Sequence, residues 1–307
     1  MTKTILLLAA TLLAVAPLGA QEEGNIEEVG VYGAFHAAQT AGDTAKATEL
    51  ATTYLEKFPK GQYAEFLSKW LTGARWARFN EAIKKKDMAG MVAVGREGLA
   101  ADPADLNYLY WMALNLRQHE LLGAGADAHA DAAAEFSRKA IERIEAGGVP
   151  VGVDAAKWNK DANLAWLHQN LALVAAKQGK GAEALAAYEK SSALAPKDVA
   201  LNARNTLGCG TLHKSKYDQA VAQYQGLPEA TRTSDPPAAE ATAAIDLANR
   251  EADAAIDCWA RFMAVTAANP SDVRNKVEQA LAALYQYRHP DEPQGYQGLV
   301  EKYRAGS

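Results

Sequence analysis

The sequence predicts an all-α fold built from antiparallel helix pairs, and three observations carry that prediction. Alanine makes up roughly a fifth of the 307 residues, well above ordinary usage. It loses no side-chain entropy in a helix and lets helices approach closely. β-Branched residues are sparse, so strands are not expected. Small and aromatic residues also recur in a fixed order, interrupted by Gly and Pro at the spacing of a helical hairpin.

The clearest unit runs from Ala165 to Asp198. It carries Leu171-Ala172, then Gly179 at a turn, then Ala184, Tyr188 and Pro196. A second unit begins near Leu201, with Leu207-Gly208, Tyr217-Asp218-Gln219-Ala220 and Tyr224 at matching spacing. These residues resemble the tetratricopeptide-repeat (TPR) pattern Trp-x2-Leu-Gly-x2-Tyr, followed by Ala-x3-Phe and a closing Pro, repeated at about 34 residues. His168 stands in place of the family's Trp, and Ala175 and Thr211 in place of its Tyr. The resemblance implies a right-handed superhelical solenoid of about seven antiparallel pairs, the terminal ones degenerate. Ala172 and Gly208 are then the points where one helix of a pair crosses the other, answered by Ala184 and Ala220, with Tyr188 and Tyr224 filling the wider space one turn on. A coiled coil would need sustained heptads, which Gly179 and Pro196 interrupt.

Weaker copies extend both ways. Gly42, Ala47 and Phe58-Pro59 outline a first pair, and Pro103 closes a second whose first helix, Tyr63 to Lys86, is unusually long. Leu109, Met112-Ala113 and Leu116 open a third, its turn stretched by Gly123-Ala124-Gly125-Ala126 before Phe136 and Ala140. Ala255, Trp259 and Asn269-Pro270 follow, then a last helix from Ser271 to about Arg288. Lys84-Lys85-Lys86 reads as the solvated end of a helix, where cations suit the dipole. Thr233-Ser234-Asp235-Pro236-Pro237 is a break, and Gly147-Gly148-Val149-Pro150-Val151-Gly152 the strongest one. The expected organisation is a leader at 1–20, degenerate pairs at 21–146, a surface loop at 147–157, and repeats with capping helices at 158–307, clearest at 165–226.

Residues 1–20 have the order of a secretory signal: Lys3, an uncharged apolar run from Ile5 to Val15, then Pro17-Leu18-Gly19-Ala20. That run is shorter than the ~20 residues a bilayer requires, so the expectation is an exported chain, periplasmic or extracellular, with no membrane span in its mature part. A net charge of −5 supplies no field that would hold nucleic acid.

Catalysis is not expected. There is no Gly-x-Ser-x-Gly turn and no phosphate loop, and Gly179-Lys180-Gly181 is the turn of a repeat. The six histidines include no pair four residues apart and no His-Glu-x-x-His, so no metal site or cofactor is expected. Asp127, His129 and Asp131 form a small polar cluster beside a Gly-rich turn, for which a weak metal contact is the alternative to surface residues. A helical-toroid carbohydrate hydrolase, which would need a pair of carboxylates in a deep pocket, is the enzymatic alternative; a structural spacer in an envelope complex is the other. Cys209 and Cys258 permit one disulfide in an oxidising compartment, but their apolar helical surroundings favour two buried thiols.

Binding remains. In the TPR family the first helix of each pair lines a concave groove, which by register assigns Asn107, Tyr110, Leu114 and Arg117 to the third pair, Trp166, Gln169 and Leu173 to the fourth, and Asn202, Asn205 and Cys209 to the fifth. Asn and Gln can bond an extended backbone, and Tyr and Trp offer flat apolar area, although Tyr110 and Trp166 equally suit helix packing. The family's carboxylate clamp of Lys, Asn and Arg is replaced by Gln169, Leu173 and Thr206. The expected partner is therefore a protein or peptide held by polar and aromatic contacts.

Overall fold

The computed structural model describes residues 26–122 and 128–305. The expected leader at 1–20 lies outside them, as do Asp127 and the stretched turn at 123–126. The described residues form thirteen α-helices and one π-helical turn, with no strand, so the fold is all-α. No described helix is long and apolar enough to cross a membrane. The chain forms two compact units, one ending at Arg78 and one beginning at Phe79.

The first unit holds α1 (Ile26–Thr40), α2 (Thr44–Lys57) and the start of α3 (Ala64–Lys85). Gly42, at φ +75°, makes the turn after α1, a conformation that glycine adopts without a Cβ penalty. Asp43 then caps α2, its carboxylate accepting from Lys46 N at 2.9 Å. The core is aromatic: Phe35 and Tyr54 are wholly buried, and Phe35 meets Trp70 edge-on at 4.9 Å. Buried Tyr54 donates to Glu28 and accepts from Tyr63 N at 3.0 Å, so its hydroxyl is satisfied within the apolar core. The long helix expected from Tyr63 to Lys86 is α3.

The second unit continues with α4 (Met88–Ala101), α5 (Leu106–Leu116), the π turn Arg117–Leu121, α6 (Ala130–Glu145), α7 (Lys160–Lys177), α8 (Gly181–Leu194), α9 (Val199–Gln225), α10 (Glu229–Arg232), α11 (Ala239–Val265), α12 (Asp272–Arg288) and α13 (Gly295–Ala305). Asp87, Asp105, Asn159, Asp198 and Ser271 each accept from a backbone N–H in the first turn of the helix that follows, which is why α4, α5, α7, α9 and α12 start where they do. The loop expected at 147–157 lies inside this unit. It is tied back to α5 by Asn107, whose side-chain oxygen accepts from Val151 N at 2.6 Å.

The pair α7–α8 matches the clearest repeat. Gly179 turns the chain at φ +72°, and Ala172, Ala175, Ala184 and Tyr188 share one buried cluster. The second repeat differs from expectation. Where a helix pair was expected between Leu201 and Tyr224, α9 runs unbroken for 27 residues. Its cause is local: His213-Lys214-Ser215-Lys216, at the place Gly179 holds in the preceding repeat, contains no Gly or Pro to stop a helix.

The partner of α9 is α11, also 27 residues long. Cys209 meets Cys258 while His213 meets Glu251, so the two helices run antiparallel. Gly210 allows their approach. A Cβ there would overlap the ring of Trp259, which is only 5% exposed and has little room to move. Gly210→Ala is therefore expected to cost ~1–3 kcal/mol, read as a lower urea midpoint with an unchanged slope. Gly208 is a second close approach, but against the Tyr188 ring of α8; the crossing expected between Gly208 and Ala220 does not form, because both lie on the unbroken α9.

Candidate functional site

The residues assigned to a binding surface are brought together by the structure, but mostly as a buried polar network between helices. Arg117 begins the π turn and is 7% exposed. Its guanidinium donates to Asn170 Oδ1 at 3.0 Å and to Gln169 Oε1. Gln169, wholly buried, donates to Leu201 O at 3.0 Å and to Asn205 Oδ1. Asn205 in turn donates to Ser191 Oγ and Ser192 Oγ, each at 2.9 Å. The chain of bonds thus runs from the π turn through α7 to α9 and α8. Burial holds the Arg117 pKa down to about 10, with Arg204 adding to the effect and Asp198 opposing it. Arg117 therefore remains a cation at neutral pH, stabilised by amide oxygens instead of a carboxylate.

The other assigned residues are also engaged. Buried Tyr110 donates to Asn163 Oδ1 at 2.7 Å and sits in an aromatic cluster with Trp111, Trp158 and Trp166, their centroids 5.3–5.6 Å from its own. Trp166 Nε1 donates to the same Asn163 oxygen at 3.0 Å. Leu114 is half-buried, and Leu173 packs against the α7–α8 cluster. Asn202 donates to the carbonyls of Ala195, Pro196 and Asp198 at 2.9–3.1 Å, closing the α8–α9 connection. Of the nine assigned side chains other than cysteine, Asn202 and Asn205 alone border the cavity between α8, α9, α11 and α13. The register assigned these residues to an open concave groove, but neighbouring helices cover most of them.

That cavity is a groove of about 920 Å³ walled by α8, α9, α11 and α13. Its α8 wall offers Tyr188, Glu189 and Ser192, its α9 wall Asn205, Cys209 and His213. Across from them stand Asp257, Cys258 and Arg261 of α11, with Lys302 and Tyr303 of α13. Arg261 bonds Asp257 at 3.0 Å and lies 4.9 Å from the Tyr303 ring centre. Tyr303 donates to the same Asp257, and burial together with that carboxylate raises its pKa. The result is a wall of aromatic surface and charge of both signs, with Arg261 and Lys302 exposed. Burial also raises the Tyr188 phenol to about 12, above its usual 10. A phenol whose folded pKa is raised keeps its full contribution below pH 10 and loses it as pH rises toward 12. Accordingly, urea midpoints of the parent chain are expected to fall relative to those of Tyr188→Phe between pH 10 and 12, and to run parallel below pH 10.

At the floor of the groove Cys209 and Cys258 are joined, Sγ to Sγ, with Cα atoms 5.9 Å apart. Two free buried thiols had been favoured, and the structure corrects this: the antiparallel register of α9 and α11 sets both cysteines face to face. His213, four residues after Cys209 and so on the same face of α9, brings a ring nitrogen within 4.8 Å of both sulfurs. Its Nδ1 lies 2.6 Å from Glu251 Oε2 of α11. Spacing along the chain shows that Cys209 and His213 lie four apart, but not that Cys258 converges on them from another helix. In the polar cluster near the Gly-rich turn, His129 Nδ1 bonds Glu120 at 2.7 Å, and Asp131 accepts from Gln178.

No family model matches the chain, and no curated protein matches it.

Proposed function

We propose that this chain is an exported, non-catalytic helical-repeat protein of the TPR kind that holds a peptide or a segment of a partner protein in the groove between α8, α9, α11 and α13. The observation that carries the reading is the groove itself. It is large enough in volume for several side chains, and its lining combines aromatic faces with exposed Arg261 and Lys302. The α7–α8 hairpin, with Ala172 against Ala184 and Gly179 at its turn, supports a stacked, superhelical arrangement of such pairs, about seven by the sequence pattern. The basic and apolar order of residues 1–20 supports export. So does the Cys209–Cys258 bridge, because disulfides persist in oxidising compartments.

The test uses a displayed library of random peptides selected against the full chain. Enriched peptides are expected to bind at micromolar Kd and to lose at least tenfold with Arg261→Glu combined with Lys302→Glu. Both side chains are solvent-exposed and outside the buried network, so the variant keeps its helical circular dichroism. Absence of enrichment, or peptides indifferent to the double variant, would overturn the reading.

A further inference from the structure

We propose that Cys209, Cys258 and His213 form a binding site for one thiophilic d10 cation, Zn(II) or Cu(I), when the cysteine pair is reduced. Three donors of the right types converge at one place. Both sulfurs and one ring nitrogen of His213 lie within 4.8 Å of one another. Around a tetrahedral zinc with Zn–S near 2.3 Å and Zn–N near 2.0 Å, ligand atoms stand about 3.5–3.8 Å apart, so modest side-chain rotation brings this set to coordination distance. Thiolate and imidazole are the ligands that select zinc and cuprous copper over the hard cations.

The second observation is the partner of the histidine. Its Nδ1 bonds Glu251 at 2.6 Å, and Glu251 is itself only 15% exposed. A carboxylate that accepts from Nδ1–H leaves Nε2 as the basic nitrogen, and fixes the ring in place; that is the usual support for a metal-bound histidine. The three donors come from two helices held in register by Gly210 against Trp259. They face the groove, so a fourth ligand for zinc, a water or a group of the bound partner, has access from that side.

Opening the site requires a two-electron reductant, which for a biological partner is a dithiol donor. A donor thiolate attacks one sulfur of the Cys209–Cys258 bond, the other sulfur departs as thiolate and takes up a proton, and the donor's second thiol resolves the mixed disulfide. Two electrons and two protons pass to the cysteine pair, and the donor leaves as a disulfide. Cation binding then displaces the two thiol protons. The site thus exchanges a covalent staple for a coordinated one between α9 and α11, at the floor of the groove.

The experiment titrates the full chain, reduced with tris(2-carboxyethyl)phosphine under argon, with Zn(II) and separately with Cu(I), each against a chromophoric chelator. One equivalent of at least one cation is expected to bind at submicromolar Kd. The oxidised chain is expected not to bind. His213→Ala, which keeps both cysteines, is expected to weaken binding at least tenfold, and Glu251→Gln tenfold or more through its hold on the ring. Co(II) in place of zinc is expected to show a thiolate charge-transfer band that Cys209→Ser/Cys258→Ser lacks. Circular dichroism of the reduced chain confirms that its helices persist. The proposal is overturned if the reduced chain binds neither cation better than Cys209→Ser/Cys258→Ser, or if His213→Ala binds as tightly as the parent. No peptide enters this titration, so its outcome is independent of the groove's function.

Discussion

Arg117→Ala is expected to lower the unfolding free energy of the second unit by ~3–5 kcal/mol. Truncation removes the donor for Gln169 Oε1 and Asn170 Oδ1, both on side chains that are wholly buried. Water cannot replace the guanidinium without opening α7, and each buried acceptor left without a donor costs ~1–3 kcal/mol. The loss does not end at the two amides. Gln169 also orients Asn205, and Asn205 holds Ser191 and Ser192, so α8 and α9 are loosened at the groove wall. Arg117→Lys separates charge from geometry. An ammonium keeps the cation but lacks the planar fork that reaches two acceptors at once, and is expected to recover less than half the loss. Urea unfolding of the three chains, with a double-mutant cycle against Asn205→Ala, measures both effects; a loss below 1 kcal/mol for Arg117→Ala would show that the network does not hold these helices.

Removing the covalent link gives the second largest effect. Cys209→Ser with Cys258→Ser is expected to cost ~2–4 kcal/mol, because the bridge closes a sequence separation of 49 and so restricts the unfolded chain strongly. The penalty is bounded by what remains between α9 and α11. Trp259, Ile256, Ala252 and Ala255 stay buried in one core cluster against which Ala203, Leu207 and Tyr217 of α9 pack, and His213 still bonds Glu251 at 2.6 Å. Equilibrium unfolding in urea, oxidised parent against the double serine variant, checks the value. Equal midpoints would show that the bridge does not constrain the unfolded chain as its span requires.

Local pattern carried most of the helix boundaries. Asp43, Asp87, Asp105, Asn159, Asp198 and Ser271 announce helix starts by their own chemistry. Gly42, Gly147, Gly152 and Gly179 sit at positive φ where the chain turns. The pair α7–α8 was legible for the same reason, since its alanines and its turn glycine are all within one hairpin. The second repeat misled because aromatic and small residues at hairpin spacing also suit one face of a long straight helix. Only the missing glycine near Ser215 distinguished the two.

The candidate site was legible in part. Cys209 and His213 are four apart and share a face of α9, a signal present in the sequence, but Cys258 and Glu251 join them only through the pairing of α9 with α11. Gln169, Arg117 and Asn205 were assigned to a concave binding groove and are instead buried between helices, because register within a single helix cannot say whether a face meets solvent or another helix.

What the amino-acid sequence determined by itself is therefore the local content: all-helical composition, the helix caps and glycine turns, and the small residues that permit close crossing, each set by forces acting within a few residues. Which amides are buried, which cysteines are bonded and where the groove opens were decided by tertiary packing alone. Those features depend on contacts between residues 30–60 positions apart, and such contacts leave no periodic trace in the chain.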